Sequence, residues 1–190
     1  MEILPQLLIN ALISGSIYAL ASSGMSVSFG LLKILNFAHG HLMMLGVYLF
    51  YYFNSDLSMS ITSAALITFA LSILIAAFTL EVFVLPFYQY SFILTLVSTL
   101  ALSNILESVV SMVFGVNVKS LDAGSSMQSI EFYGIYITPI QIIIIISSII
   151  ILGTIALIVH KSMLGRRIRA LSENSFAAES LGVSKIKTSY

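Results

Sequence analysis

Residues 137–159 read ITPIQIIIIISSIIILGTIALIV, and residues 160–170 then read HKSMLGRRIRA. The first string carries no ionisable side chain over a length that suffices to cross a bilayer, for which a helix needs about 20 mostly apolar residues. From Ile142 to Ile151 it is β-branched except for Ser147 and Ser148. In water that composition favours a strand. In lipid an open strand would leave its N–H and C=O groups unpaired, whereas a helix pairs them within the segment. The string therefore reads as a membrane helix, and the switch to Lys161, Arg166, Arg167 and Arg169 marks where the chain leaves the hydrocarbon.

The rest of the chain extends that reading. Of its 190 residues, 58% are hydrophobic and 8% charged, against about 25% charged in a soluble domain. Mean hydropathy is +1.05. Four more apolar segments reach spanning length: Leu4 to Leu31, punctuated by Gly15, Gly24 and Gly30; Leu35 to Phe53; Ser60 to Phe83; and Phe92 to Phe114. The first run, from Ile3 to Leu32, follows Glu2 rather than a basic start. It exceeds the roughly 7–15 residues of a signal-peptide core, so it is kept as a helix of the mature protein. The expected fold is all-α: a polytopic transmembrane bundle of about five helices, with residues 1–160 in the membrane region and 161–190 outside it. The polar stretch from Gly115 to Thr138 is expected to be an exposed loop with a short hairpin or helix. With tryptophan absent, an interfacial aromatic belt falls to Tyr48, Phe50, Tyr51, Tyr52 and Phe53.

Charge distribution sets the topology. The tail from Lys161 to Tyr190 holds six of the eight basic residues. With the tail in the cytoplasm, five spans place Lys33 inside and Lys119 outside, so seven of eight basic residues lie inside, as the positive-inside rule requires. The N-terminus is then outside.

Several chemistries find no support. A G-x-x-x-x-G-K-[ST] phosphate loop is absent, so ATP binding of that kind is not expected. Cysteine is absent. His39 and His41 are two apart, about 200° round a helix, and make a poor metal pair. No metal, cofactor, nucleic-acid or enzymatic role is expected. Glu107, within the fourth segment, and Glu81, near the end of the third, are costly in lipid. Each suits a hydrogen bond to a neighbouring helix or a contact with substrate. Ser14, Gly15, Ser16, Ala19 and Ser22 crowd the first helix and suit close packing. Asn36-Phe37-Ala38-His39-Gly40-His41 opens the second; Asn36 is expected to cap it near His39, and His39 to make a tertiary hydrogen bond.

Two strings carry a family resemblance. Leu35-Asn36-Phe37-Ala38-His39-Gly40, with Met43-Met44-Leu45-Gly46-Val47-Tyr48, resembles the second-helix signature of branched-chain amino acid ABC importer permeases. Leu164-Gly165-Arg166-Arg167-Ile168-Arg169-Ala170, with Glu173-Asn174, Ala177-Ala178 and Leu181-Gly182-Val183, resembles their cytoplasmic coupling segment. Ile17-Tyr18-Ala19-Leu20, Gly24 and Phe29-Gly30 also match. The chain departs from the pattern between Val82 and Tyr90, where the family shows an Arg-containing stretch and this sequence has no basic residue.

The resemblance implies a permease subunit of the bacterial inner membrane. Its partners would be ATPase subunits, a second permease copy or homologue, a periplasmic or lipid-anchored binding protein, and membrane lipid. It implies about three further helices beyond Tyr190, so the sequence reads as C-terminally truncated. Ser14, Gly15, Asn36, Phe37, Ala38, His39 and Gly40 become candidates for lining or gating the substrate path. Gly165, Arg166, Arg167, Arg169, Glu173, Asn174, Ala177, Ala178 and Gly182 become candidates for docking on the ATPase, with Leu164 to Arg169 continuing directly from the fifth helix. A membrane scaffold or remnant, and a proton-coupled amino-acid carrier, are the competing readings. The importer needs ATP and its partner, the carrier is collapsed by an uncoupler, and the scaffold supports no uptake.

Overall fold

The computed structural model describes residues 3–32, 35–88, 90–117, 119, 130–132 and 135–173. The chain divides into two units, residues 1–33 with 122–190, and residues 34–121.

In the first unit α1 (Ile3–Leu32) lies along α6 (Pro139–Lys161), and α7 (Met163–Glu173) packs against both. Pro5 sits in the first turn of α1, where its missing N–H has no helical partner to lose. An antiparallel hairpin, β1 (Ile130–Phe132) with β2 (Ile135–Ile137), precedes α6. Gln6 holds that hairpin to the head of α1. Its Oε1 accepts the Tyr136 N–H at 2.8 Å and its Nε2 donates to the Tyr136 carbonyl at 3.1 Å. Pro139 opens α6, and Gln141 Oε1 accepts the Thr138 N–H at 2.8 Å, covering a donor at the helix start. Because Gln6 bonds the strand that feeds α6, α1 and α6 start at the same end and run parallel.

In the second unit α2 (His39–Tyr51) continues through a π turn, Tyr52–Asp56. It packs on α3 (Ile61–Thr79) and on α5 (Phe92–Phe114). A second π turn, Leu80–Val84, carries α3 into α4 (Leu85–Tyr88), giving one continuous helical run. Serine caps open α3 and α5: Ser60 Oγ accepts from Ser63 N at 3.3 Å, and Ser91 Oγ from Ile93 N at 3.2 Å. Gly115, at φ 77° and ψ 174°, ends α5.

Among the described residues four helices are long and apolar enough to cross a membrane: Leu4–Gly30, Ile61–Tyr88, Phe92–Phe114 and Pro139–Lys161. The second expected span, Leu35 to Phe53, is the exception. Its helix begins only at His39, because the Asn36–Ala38 turn precedes it, and the two histidines make its first turn polar. Within its unit it packs beside two of those spans, α3 and α5, and the fold is all-α and polytopic, as expected. The third span runs past its expected end at Phe83 to Tyr88, because the π turn absorbs one residue without breaking the helix. The hairpin expected between Gly115 and Thr138 is present at its C-terminal end.

Burial is inverted relative to a water-soluble protein. Among the described residues Thr95, Thr99 and Ser148 are the largest fully buried side chains, and Ser103 and Thr79 are buried too. Leu8, Phe69, Leu74, Ile93 and Ile149 are all about two-thirds exposed. Lipid solvates those side chains as well as a protein core would. Helix contacts therefore go to small hydroxyl residues that allow close approach and satisfy their own polar atoms. Ser148 Oγ does so by donating to the Ile145 carbonyl at 2.8 Å, and Thr99 Oγ1 to the Leu96 carbonyl at 3.0 Å.

Candidate functional site: the seam between α2 and α5

Thr95, Thr99, Ser103 and Glu107 recur every four residues along α5, so they form one stripe on that helix. The stripe meets the start of α2. Thr99 Oγ1 accepts the Phe37 N–H at 3.3 Å. One turn on, the Ser103 hydroxyl and His41 Nδ1 share a hydrogen bond of 2.7 Å. The opposite ring nitrogen, Nε2, lies 3.7 Å from Glu107 Oε2. His41 is thus held by two groups of α5, one buried and one exposed. At the far end of the same pair, Tyr48 packs on Phe114 with ring centroids 4.9 Å apart, and Tyr52 meets Phe114 at 6.4 Å. Lys119 Nζ lies 5.8 Å from the Tyr51 ring centroid, so the aromatic run of α2 gathers at one end of the helix pair.

These contacts fix the register. α2 and α5 run in the same direction, with Phe37 beside Thr99 and Tyr48 beside Phe114. Thr99 is about seven residues, or roughly 10 Å, past the start of α5. The non-helical turn Asn36–Ala38 therefore lies alongside the body of a spanning helix rather than at its mouth. Irregular backbone at membrane depth is tolerated where its polar groups find protein partners, and here they do. Asn36 Oδ1 accepts the Ala38 N–H at 3.0 Å, the Asn36 carbonyl accepts the His39 N–H at 3.2 Å, and Thr99 takes Phe37. Ala38 is fully buried.

The expected cap differs in detail. Asn36 folds over the turn before the helix, so Ala38 is the N-cap residue and carries no side-chain cap. His41 makes a tertiary hydrogen bond, to Ser103. His39 looks the other way, into a cavity of about 330 Å³ bordered by Met43 and Gly46 of α2 and by Ser72, Ile75 and Ala76 of α3. Gly46 sits where those helices approach; a Cβ there would lie 3.8 Å from Ser72 Oγ. Phe37 and Gly40 are exposed. In the other unit Ser14 is exposed and nothing lies within 4 Å of a Cβ built on Gly15. Glu81 is exposed in the second π turn.

The basic segment after α6 is not a continuation of it, contrary to expectation. Ser162, with φ −78° and ψ 163°, breaks the helix, and α7 starts at Met163. Arg166, Arg167 and Glu173 are exposed, Arg169 is half-buried and Gly165 is buried. Asn174, Ala177, Ala178 and Gly182 lie outside the described residues.

Residues 7–190 match a family described as the permease component of the branched-chain amino acid transport system. The chain belongs to that family. Among relatives of this chain, the high-affinity branched-chain amino acid transport system permease protein BraD of Pseudomonas aeruginosa is 27% identical over 94% of the chain. The corresponding LivH proteins of Salmonella typhimurium and Escherichia coli K12 are 29% and 27% identical over the same share. The chain spans 62% of the length of each of these relatives. No solved structure matches it. Family and apolar helices together make the chain a multi-pass membrane protein.

The α5 partners of the seam, Thr95, Thr99 and Ser103, are not among the candidates read from sequence, where His41 stands in the string that opens the second span and as a poor metal partner for His39. A signal existed, since three hydroxyls and a carboxylate at spacings of four on a spanning helix already mark a polar stripe. What the spacing does not say is which other helix that stripe faces.

Proposed function

We propose that this chain is a membrane-spanning subunit of an ATP-driven importer, carrying branched-chain amino acids across the bacterial cytoplasmic membrane with energy from separate ATPase subunits. The carrying observation is the family match, which runs from α1 through α7 into the basic tail. In this reading a second permease subunit completes the path, and a periplasmic or lipid-anchored binding protein delivers the amino acid. The tail is cytoplasmic and the N-terminus outside; the parallel course of α1 and α6 and the charge bias of the tail support that orientation. Residues 161–190 dock on the ATPase through Arg166, Arg167 and Glu173, with Asn174, Ala177, Ala178 and Gly182 in the same segment.

The substrate path is assigned to the broken start of α2. Asn36, Phe37, His39 and Gly40 line or gate it, and Ala38 anchors the turn; a lining role is also assigned to Ser14 and Gly15 of α1, in the other unit. A zwitterion with an aliphatic side chain suits apolar walls with a few amide, imidazole and hydroxyl groups. Reconstitution into liposomes with the candidate ATPase and binding protein tests the reading. Leucine uptake is expected to require ATP, to survive an uncoupler, and to fall in Asn36→Ala and His39→Ala at unchanged protein level. Uptake that persists without the ATPase and collapses with the uncoupler would mean a secondary carrier.

A further inference from the structure

Helix α6 ends with carbonyl groups that have no partner within the helix, as every helix does. Here α7 supplies them. Arg169 Nη1 donates to the Val159 carbonyl at 2.6 Å and Nη2 to the His160 carbonyl at 3.3 Å. Arg166 Nη1 donates to the Lys161 carbonyl at 3.3 Å. Ser162 closes the joint from both sides. Its N–H bonds back to the Ile158 carbonyl at 3.1 Å. Its hydroxyl accepts from Gly165 N at 3.0 Å and its carbonyl from Arg166 N at 3.2 Å. One extended residue thus ends one helix and caps the next. Gly165 then faces the last turn of α6 so closely that an added Cβ would collide with the Val159 carbonyl and lie 2.6 Å from the Ile158 oxygen. Those are backbone atoms of a helix and cannot swing aside.

We infer that Gly165 and Arg169 are positioning residues that lock α7 at a fixed angle to α6, leaving the exposed Arg167 to meet a partner. The inference rests on the reading of α7 as the segment that docks on the ATPase, and it divides the arginines of that segment by task. The guanidinium of Arg169 is turned onto α6, where its positive charge also opposes the negative end of the helix dipole. A lever of this kind transmits a push from α7 to α6 only while the joint is stiff, because a hinge would absorb the displacement.

The chain has no cysteine, so spin labels at Leu157→Cys on α6 and Ala170→Cys on α7, both exposed, report the joint alone. The full chain in detergent is expected to give one narrow distance distribution. Arg169→Gln removes two charge-assisted hydrogen bonds and should raise the population of undocked α7 roughly tenfold, seen as a broadened or second distance peak. Arg169→Lys, which can still donate to these carbonyls, should restore most of the narrow peak, and Gly165→Ala should shift it. Arg167→Glu should leave the distance unchanged and sharply reduce co-purified ATPase. In liposomes with the partners, Arg169→Gln should retain the ATPase but raise the ATP hydrolysed per leucine imported severalfold. An unaltered distance distribution in both Arg169→Gln and Gly165→Ala overturns the joint. If wild type fails to retain the ATPase, the docking reading falls while the distance data still decide the joint.

Discussion

Replacing Ser103 by alanine isolates the contact on which the α2–α5 register rests. Ser103 is 6% exposed, and its hydroxyl lies 2.7 Å from His41 Nδ1. Hydrogen bonds between membrane helices average about 0.6 kcal/mol and reach about 1.7. A short bond to a buried hydroxyl belongs in the upper part of that range, so a coupling of about 1 kcal/mol is expected. The comparison is with Glu107, 3.7 Å from Nε2 and 65% exposed. At 3.7 Å that contact is longer than a hydrogen bond, so its coupling should lie at the low end of the range, about 0.3 kcal/mol. The assay is SDS-driven unfolding of the purified chain in mixed micelles, followed by circular dichroism. Two double-mutant cycles are measured, Ser103→Ala with His41→Leu and Glu107→Gln with His41→Leu. The expected order is serine over glutamate by a factor of about three. Additivity in the serine cycle, or a larger coupling in the glutamate cycle, would refute the seam as the element that sets the register.

Gly115 at φ 77° and ψ 174° occupies a region open essentially to glycine. Gly115→Ala should cost about 1–3 kcal/mol in the same unfolding assay although nothing crowds the site. Gly153→Ala, with equal space but within α6, should be neutral or stabilising. At the hairpin, the Tyr136 phenol donates to the Glu131 carboxylate, and that hydrogen bond followed by the carboxylate's charge raises the tyrosine pKa above 10.0. The folded pKa exceeds the unfolded one, so the stabilisation is complete below about pH 10 and is lost as pH rises through the raised value. Difference absorbance between the chain and its Tyr136→Phe variant should show late ionisation, and Glu131→Gln should bring it back toward 10.

Much of the architecture was legible in one dimension. Solvation by lipid depends on length and polarity, so uninterrupted runs such as Phe92–Phe114 announced themselves, and a β-branched string such as Ile142–Ile151 had only a helix open to it. The basic tail carried the orientation argument because charge bias is a property of composition. The Asn36–Gly40 and Gly165–Arg169 strings singled out two places where the chain does something other than cross. Pairing lay beyond that reach. Whether His39 or His41 meets α5 depends on the rotation of α2 about its axis, which the neighbouring helices decide, since both residues suit a polar contact equally. The depth of the Asn36 turn depends on how far α2 slides along α5, and aromatic packing at Tyr48 and Phe114 sets that slide. Arg169 reads as one more exposed positive charge until the end of α6 comes within reach of its guanidinium. Hydropathy follows from each residue's own contact with solvent, so the sequence determines it; register and rotation come from contacts between residues far apart in the chain, and only the folded arrangement selects them.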